Sequence, residues 1–194
     1  MNTIALLTAA GRSSRMGSPK ALLPWAGTTL LSHQVQTLLA QPFERVVVVF
    51  GYDHETLAAH LAPSPRLEII HNPLWETGRS STFEAAAAAI AELLPARALI
   101  AAIDQPLVAE VIATLLAHPA HDQVLAPTLG DGRAGHPILI PAPLTAALAH
   151  TSRYPRGLRD LVSSATRTLV PVDSPEIHLD LNTPDDLARQ KPRG

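Results

Sequence analysis

Three cationic side chains stand close together near the start of this 194-residue chain. Arg12, Arg15 and Lys20 follow an apolar run, and the first acidic residue of the sequence is Glu44. The opening segment therefore carries three positive charges with no carboxylate to balance them, and a polyanionic ligand would supply the missing charge. Thirteen of the fifteen basic residues are arginines. Lys20 is an exception, and its compact ammonium suits a phosphoryl group.

Segment 7–24, which holds these cations, lacks the spacing of both familiar phosphate-binding motifs. Five residues separate Gly11 from Gly17, whereas a P-loop has four residues between its glycines. A Rossmann fingerprint needs three glycines at fixed spacing, and these two do not provide it. The residues leave two interpretations open, an anion-binding nest of backbone N–H groups and a solvated basic loop.

Two later carboxylates are candidate magnesium ligands. Asp104 follows an apolar run at 98–103, so it should lie at the carboxyl edge of the sheet, where open α/β folds bind ligands. Mg²⁺ prefers one or two carboxylates together with substrate phosphates. Asp180 is the second candidate, because a helix start explains Asp185 and Asp186. The alternative for Asp104 is a capping role at the helix that follows it.

Two further groups of residues are candidates for ligand binding. Gly78, Ser80 and Ser81 precede a predicted helix, where hydroxyls and free N–H groups could hold the ribose, the base or a phosphate. Plain N-capping by either serine explains the same residues. His136 lies in a turn-rich segment between a glycine and a proline. A surface position explains a lone loop histidine equally well.

A single α/β domain over residues 1–194 is predicted to position these side chains. Apolar strands alternate with amphipathic helices, the pattern of a parallel sheet with crossover helices. The predicted strands are 4–7, 45–50, 67–71, 98–103, 123–126 and 167–172, and the predicted helices include 81–94, 108–118, 143–150 and 157–165.

Several local features refine this prediction. Thr28 or Thr29 should cap the first helix, and Asp53 should cap the second. The glycine-rich turn after residue 127 and the short run 137–140 predict a hairpin-like excursion beside the sheet. Residues 177–181 should approach the site in an extended conformation.

Composition excludes several classes of function. A net charge of −2 and a pI near 6.5 argue against nucleic-acid or anionic-membrane binding. No cysteine is present, so disulfides, thiolate metal sites and cysteine nucleophiles are excluded. No run approaches the roughly 18 to 20 apolar residues that span a bilayer, and no signal peptide is expected. We expect a soluble cytoplasmic protein.

Five motifs resemble the MobA-like nucleotidyltransferases, the family of molybdenum cofactor guanylyl- and cytidylyltransferases. In the family's order they are Ala9-Ala10-Gly11-Arg12-Ser13-Ser14-Arg15-Met16-Gly17-Ser18-Pro19-Lys20, Asn72-Pro73-Leu74-Trp75 with Gly78 and Ser80-Ser81, Asp104-Gln105-Pro106, Gly135-His136-Pro137, and Asp180-Leu181-Asn182-Thr183-Pro184-Asp185-Asp186-Leu187. The resemblance covers nearly the whole chain. It implies a three-layer α/β/α, nucleotide-diphosphosugar-transferase-like (Rossmann-like) domain that transfers a nucleotidyl group from an NTP and releases pyrophosphate.

The resemblance also implies a role for each candidate residue. Arg15 and Lys20 would stabilise the departing pyrophosphate, Asp104 and Asp180 would hold Mg²⁺, and His136 would bind the acceptor or shape its pocket. The implied nucleotide-binding residues are Ala9, Ala10, Gly11, Arg12, Gly78, Ser80 and Ser81.

Two residues favour CTP as the nucleotide within this family. Members with a second glycine in place of Ala10 lean towards GTP, and a Cβ at that position narrows the base pocket. Gln105, which follows Asp104, also favours the cytidylyl branch. The implied acceptor is a phosphate-bearing molecule such as molybdopterin, and a molybdoenzyme is the further partner that this suggests.

The acceptor is less well defined than the nucleotide. Segment 153–159 departs from the Gly-Asp-containing version expected in the family, and keeps Gly157 and Arg159. One alternative is transfer to a sugar phosphate or another cofactor phosphate. An alternative of a different class is a non-catalytic carrier of a nucleotide-bearing cofactor.

Overall fold

A mostly parallel sheet of seven strands forms the centre of the computed structural model, which describes residues 2–12, 19–183 and 186. In chain order the strands are β1 (Thr3–Ala9), β2 (Pro24–Trp25), β3 (Thr28–Thr29), β4 (Arg45–Phe50), β5 (Leu67–His71), β6 (Arg97–Ala102), β7 (Val124–Thr128), β8 (Ile138–Pro141) and β9 (Arg167–Pro171). The helices in the described residues are α1 (Leu30–Leu39), α2 (His54–Ala58), α3 (Arg79–Ile90), α4 (Ala109–Ala117), α5 (Ala142–Ala147) and α6 (Leu158–Ser163). The sheet order is β5-β4-β1-β6-β8-β7-β9, and β2 pairs with β3 in a separate hairpin.

Alternate side chains of the central strands enter two apolar clusters, one on each face of the sheet. On β1, Ala5 and Leu7 pack in the cluster that includes residues of α1, α2 and α4. Ile4 and Leu6 pack in the cluster that includes residues of α3, α5 and α6. Burial on both faces explains why these strands are apolar at nearly every position. The predicted three-layer α/β/α fold is confirmed.

The central parallel strands bring their carboxyl ends to one edge of the sheet. β1 pairs in parallel with β4 on one side and with β6 on the other, and the register matches Ala9 with Phe50 and Thr8 with Ala102. The residues that follow these strands therefore emerge next to one another. They are residues 10–12, which begin the cationic loop of segment 7–24, together with Tyr52 and Asp104.

The strand predicted at 137–140 is β8, and its predicted position beside the sheet is wrong. β8 lies inside the sheet, antiparallel to both β6 and β7. Ile138 and Ile140 pack in one apolar cluster, and Leu139 packs in the other. A central position buries both sets of side chains, which a hairpin beside the sheet would leave half exposed.

Three predictions of local structure have different outcomes. Thr29 caps α1, since its hydroxyl accepts a hydrogen bond from the Ser32 N–H at 3.1 Å. Asp53 precedes α2 but does not cap it through its side chain, because its carboxylate accepts from the Thr56 hydroxyl instead. The extended conformation predicted for 177–181 is wrong at its start, where Pro175–His178 forms a 3-10 turn.

No helix within the described parts of the chain is long and apolar enough to cross a bilayer.

Candidate active site

The start of the cationic loop is held against the end of β4. The Ala10 carbonyl accepts a hydrogen bond of 3.2 Å from the Tyr52 N–H, and the Arg12 guanidinium lies 5.3 Å from the centre of the Tyr52 ring. Tyr52 in turn packs edge-on against Trp75. Cation–π contact and the backbone hydrogen bond together give Arg12 a defined place at the sheet edge. Arg15 lies outside the described residues, so its role stays a prediction.

Gly51 allows three segments to meet at this point. A Cβ built on Gly51 would overlap the Trp75 side chain and lie 2.6 Å from the Ala10 carbonyl oxygen. The close approach therefore requires glycine. Trp75 belongs to a motif identified in the sequence, whereas Gly51 and Tyr52 were not predicted as site residues. A Gly-Tyr pair directly after a buried strand was the signal that could have found them.

Lys20 lies between Asp104 and the segment that contains Asp180 and Asn182. Its Nζ donates a hydrogen bond of 2.8 Å to Asn182 Oδ1 and lies 3.5 Å from Asp104 Oδ2. The side chains of Lys20 and Asp104 are 13% and 22% exposed, so this ion pair is screened less than a surface pair. Asn182 was quoted in a motif but was given no role from the sequence.

Asp180 lies next to Asp104. Gln105 donates a hydrogen bond of 2.8 Å from Nε2 to Asp180 Oδ1, and the Leu181 N–H donates to the Asp104 carbonyl oxygen at 2.8 Å. The structure therefore brings together the two segments that bear these carboxylates, although they are far apart in the sequence. The capping alternative for Asp104 is wrong, because α4 begins after Val108 without a side-chain cap.

A small apolar cluster holds the segments that carry these groups. Leu23, Leu30 and Leu181 are buried against one another, and Trp25, Ile103 and Leu179 pack around them. Leu23 follows the turn that contains Lys20, Ile103 precedes Asp104, and Leu181 follows Asp180. Burial of this cluster fixes the relative positions of the three charged side chains.

Asp186 makes the contacts expected of a capping residue, whereas the helix predicted to start here lies outside the described residues. Asp186 Oδ2 accepts hydrogen bonds from the N–H groups of Asn182 and Thr183 and from the Thr183 hydroxyl. Asp186 therefore also orients the backbone of Asn182, the partner of Lys20. Asp185 lies outside the described residues.

His136 joins the same site from the far side of β6. Its N–H donates to the Ile177 carbonyl at 2.9 Å. Although the side chain reaches solvent, partial burial lowers the pKa of His136, and His178 acts in the same direction. Asp180 and Asp104 oppose these effects without cancelling them. The imidazole is therefore largely neutral at pH 7 and can both donate and accept a hydrogen bond.

The residues at the start of α3 form a second part of the site, next to Trp75. Gly78 begins the helix with φ 121° and no side-chain cap, so capping by Ser80 or Ser81 is wrong. The Ser81 hydroxyl accepts from Asn72 Nδ2 and lies within hydrogen-bond distance of the Leu74 and Gly78 carbonyls. Ser81 thus stabilises the turn at 72–78.

Ser80 faces a different segment. A Cβ on Gly157, which has φ 55°, would lie 2.9 Å from Ser80 Oγ. The structure thereby places the divergent segment 153–159 against the start of α3.

The carboxylates suit a magnesium ion that also binds phosphates. No group of three or more histidine, cysteine, aspartate or glutamate side chains within residues 2–12, 19–183 and 186 is arranged to hold a metal. Mg²⁺ takes only one or two carboxylate ligands from a protein when substrate phosphates supply the others. Asp104 and Asp180 fit that requirement.

Comparisons with known proteins show the family to which the chain is similar. The family profile of the MobA-like NTP transferase domain matches residues 5–172. The molybdenum cofactor cytidylyltransferase of Escherichia coli (strain K12) is 31% identical over 190 residues, covering 97% of this chain and 95% of that protein. The nicotine blue oxidoreductase of Paenarthrobacter nicotinovorans is 34% identical over 162 residues, covering 79% of this chain and 78% of that protein.

A solved structure shares the fold. The structure of Rv0371C in complex with manganese, from Mycobacterium tuberculosis H37Rv, superposes with a TM-score of 0.78 at 22% identity. The match covers 97% of each chain.

Proposed function

The chain belongs to the MobA-like NTP transferase family of nucleotidyltransferases, and we propose that it transfers CMP from CTP to a molybdopterin-type acceptor phosphate with the help of Mg²⁺. The observation that carries this proposal is the position of Lys20 between Asp104 and Asn182. This places a cation beside a candidate metal-binding carboxylate at the sheet edge. Both groups are what a triphosphate requires.

The reaction needs no general base from the protein. An oxygen of the acceptor phosphate is already anionic at neutral pH and attacks the α-phosphorus of CTP. The bond from the α-phosphorus to the bridging oxygen breaks, and its electron pair leaves with pyrophosphate. Catalysis then depends on positioning and on neutralising charge.

The cationic residues act on the leaving group in this proposal. Lys20 and Arg15 stabilise the negative charge that develops on pyrophosphate. Arg12 assists from its place on Tyr52, where it lies at the entrance of the loop. The hydrogen bond from Lys20 to Asn182 orients the ammonium before the nucleotide binds.

Asp104 and Asp180 are the residues that would hold the metal. When bound, Mg²⁺ supplies positive charge that neutralises the phosphates of the reacting nucleotide. The manganese in the M. tuberculosis relative supports divalent-metal use within this fold. Gln105 keeps Asp180 in place through its hydrogen bond.

The nucleotide and the acceptor contact different residues of this centre in the proposal. Ala9, Ala10 and Gly11 contact the nucleotide, and the Cβ of Ala10 favours a pyrimidine over a purine. The nucleotide is also bound by the start of α3, which lies next to Trp75 and contains Gly78, Ser80 and Ser81. His136, neutral at pH 7, binds the acceptor. A molybdoenzyme in the cytoplasm would receive the product.

The name of the E. coli relative supports this choice of substrates. A sugar phosphate or another cofactor phosphate is the alternative acceptor, and a non-catalytic carrier is the alternative function. The carrier would bind the finished dinucleotide without turnover.

A nucleotide panel followed by a turnover assay tests the proposal. CTP with Mg²⁺ should stabilise the protein more than GTP, ATP or UTP does. At about 100 times its dissociation constant, CTP should raise the free energy of unfolding by roughly 2.7 kcal/mol. Pyrophosphate should then appear only when CTP, Mg²⁺ and molybdopterin are present together. Preference for GTP would refute the choice of nucleotide, and tight binding of the dinucleotide without pyrophosphate release would support the carrier.

A further inference from the structure

Gln34 is a fully buried polar residue on the face of α1 that packs against the sheet. Its side chain is 0% exposed, and its neighbours Leu31, Val35 and Leu38 belong to the apolar core. Burying an amide among apolar side chains costs free energy unless hydrogen bonds compensate. The contacts of this amide therefore indicate its role.

The amide of Gln34 binds the end of β6. Its Nε2 donates to the Ile103 carbonyl at 2.9 Å and to the Ala102 carbonyl at 3.3 Å. The Ile103 N–H still reaches β1, where it donates to the Thr8 carbonyl. Beyond this point the chain turns away, since the Gln105 N–H folds back onto the Ala102 carbonyl at 3.1 Å.

Asp104 lies at the centre of that turn. It directly follows the two carbonyl groups that Gln34 holds and precedes Gln105, the partner of Asp180. A shift of the Ala102 and Ile103 peptide groups would change the direction of the Asp104 carboxylate and the position of Gln105 together. The amide of Gln34 therefore influences the positions of both carboxylates, that of Asp104 directly and that of Asp180 through Gln105.

The same helix also contacts the segment that carries Lys20. The Leu30 N–H, at the first residue of α1, donates to the Leu23 carbonyl at 2.8 Å. Leu30 packs with Leu181 and Ile103 in the small cluster under the site. One helical turn later, Gln34 lies on the same face. α1 therefore links the segments of Lys20 and Asp104.

We propose that Gln34 is a positioning residue that fixes the end of β6, so that Asp104 and Gln105 face Lys20 and Asp180. Gln34 acts through the Ala102 and Ile103 carbonyls. Its Oε1 is buried without a hydrogen-bond partner among the described residues. The proposal rests on the proposed function, because it assigns Asp104 and Asp180 to the metal and the nucleotide phosphates.

Two substitutions and a matched control test this role. Gln34→Met keeps the length of the side chain and removes both hydrogen bonds. Gln34→Glu keeps the shape but can donate only while the carboxyl group is protonated. Gln36→Met makes the same chemical change at an exposed position of the same helix.

The first measurement is the affinity for Mn²⁺, which EPR monitors in the presence of CTP and without an acceptor. Loss of an indirect support of metal ligands should weaken Mn²⁺ binding by about tenfold in Gln34→Met. Turnover should fall by about tenfold to a hundredfold, while KM for CTP stays within about twofold. Gln36→Met should match the wild-type protein in all three measurements.

The second measurement is the pH profile of Gln34→Glu, taken as a ratio to wild type. A buried carboxyl group that faces two carbonyl oxygens resists ionisation. Its turnover ratio should therefore fall as the pH rises and the proton is lost. This variant also keeps the test open if Gln34→Met does not fold, because at low pH it retains one donor.

Two results would overturn the proposal. One is a folded Gln34→Met protein with a lower melting temperature but with Mn²⁺ binding and turnover equal to those of Gln36→Met. The other is a flat turnover ratio for Gln34→Glu over a pH range in which infrared spectroscopy shows the buried carboxyl group losing its proton. Absence of pyrophosphate release from the wild-type protein would refute the proposed function instead, and the Mn²⁺ comparison would still decide the role of Gln34.

Discussion

Lys20 and Asn182 lie 162 positions apart in the sequence, and Lys20 Nζ donates a hydrogen bond of 2.8 Å to Asn182 Oδ1. The same ammonium lies 3.5 Å from Asp104 Oδ2. One cation therefore ties the cationic segment near the start of the chain to both segments that bear the candidate metal ligands. This contact brings the first and last segments of the site together.

Removing the charge of Lys20 should reduce catalysis much more than stability. Lys20→Met should lower kcat by about a hundredfold or more, because charge on the leaving group loses a fixed cation. Lys20→Gln can still donate to Asn182 but carries no charge, so it should lose a similar amount. Pyrophosphate release and thermal unfolding measure the two effects. Wild-type turnover in either variant would refute the assignment.

Neutralising Asp180 should weaken metal binding without breaking its contact with Gln105. In Asp180→Asn the side-chain oxygen can still accept from Gln105, so the change isolates the charge. We expect the Mg²⁺ concentration at half-maximal rate to rise by about tenfold or more, since Mg²⁺ depends on its few carboxylates. Asp122→Asn removes the same charge at an exposed position and should change nothing. Equal Mg²⁺ requirements in the two variants would contradict the metal assignment.

His136 should make the fold less stable in mild acid. Its pKa in the folded protein lies below the ordinary value of 6.5, so the unfolded chain takes up the proton first as the pH falls. His136 therefore destabilises the fold as the pH drops from 6.5 through the folded pKa, and the effect is small because the residue is exposed to solvent.

Urea unfolding at pH 7.5 and 5.5, in EDTA, measures this effect. His136→Gln should lose less stability between the two pH values than the wild-type protein. His121→Gln, at a histidine in the loop before β7, should behave like wild type. A His136→Gln protein with the wild-type pH dependence would show that the burial of His136 has no such effect.

Gly51 should tolerate no side chain. Gly51→Ala places a methyl group into Trp75 and against the Ala10 carbonyl, and overpacking of this kind costs about 1–3 kcal/mol. Gly11→Ala is the matched control for stability, because a Cβ there meets no described atom within 4 Å. Chemical denaturation compares the two variants. If both are equally stable, the close packing at Gly51 is not required.

Local chemistry in the sequence determined the layers of the fold and most of the candidate groups. The apolar runs of β1, β4 and β6 mark buried parallel strands, because only burial on both faces tolerates such composition. A carboxylate directly after β6 must then lie at the carboxyl edge of the sheet, which identified Asp104. The uncompensated charges of the opening segment likewise pointed to an anion without any knowledge of the fold.

Only the tertiary structure decided which of these groups meet. The place of β8 between β6 and β7, the contact of Arg12 with Tyr52 and the hydrogen bonds of Gln34 depend on which strands and helices become neighbours. Pairing of segments many residues apart is set by packing of the whole core, which no local pattern encodes. For the same reason Asn182 and Gln105 gained defined contacts in the structure, with Lys20 and Asp180, that their positions in the sequence do not specify.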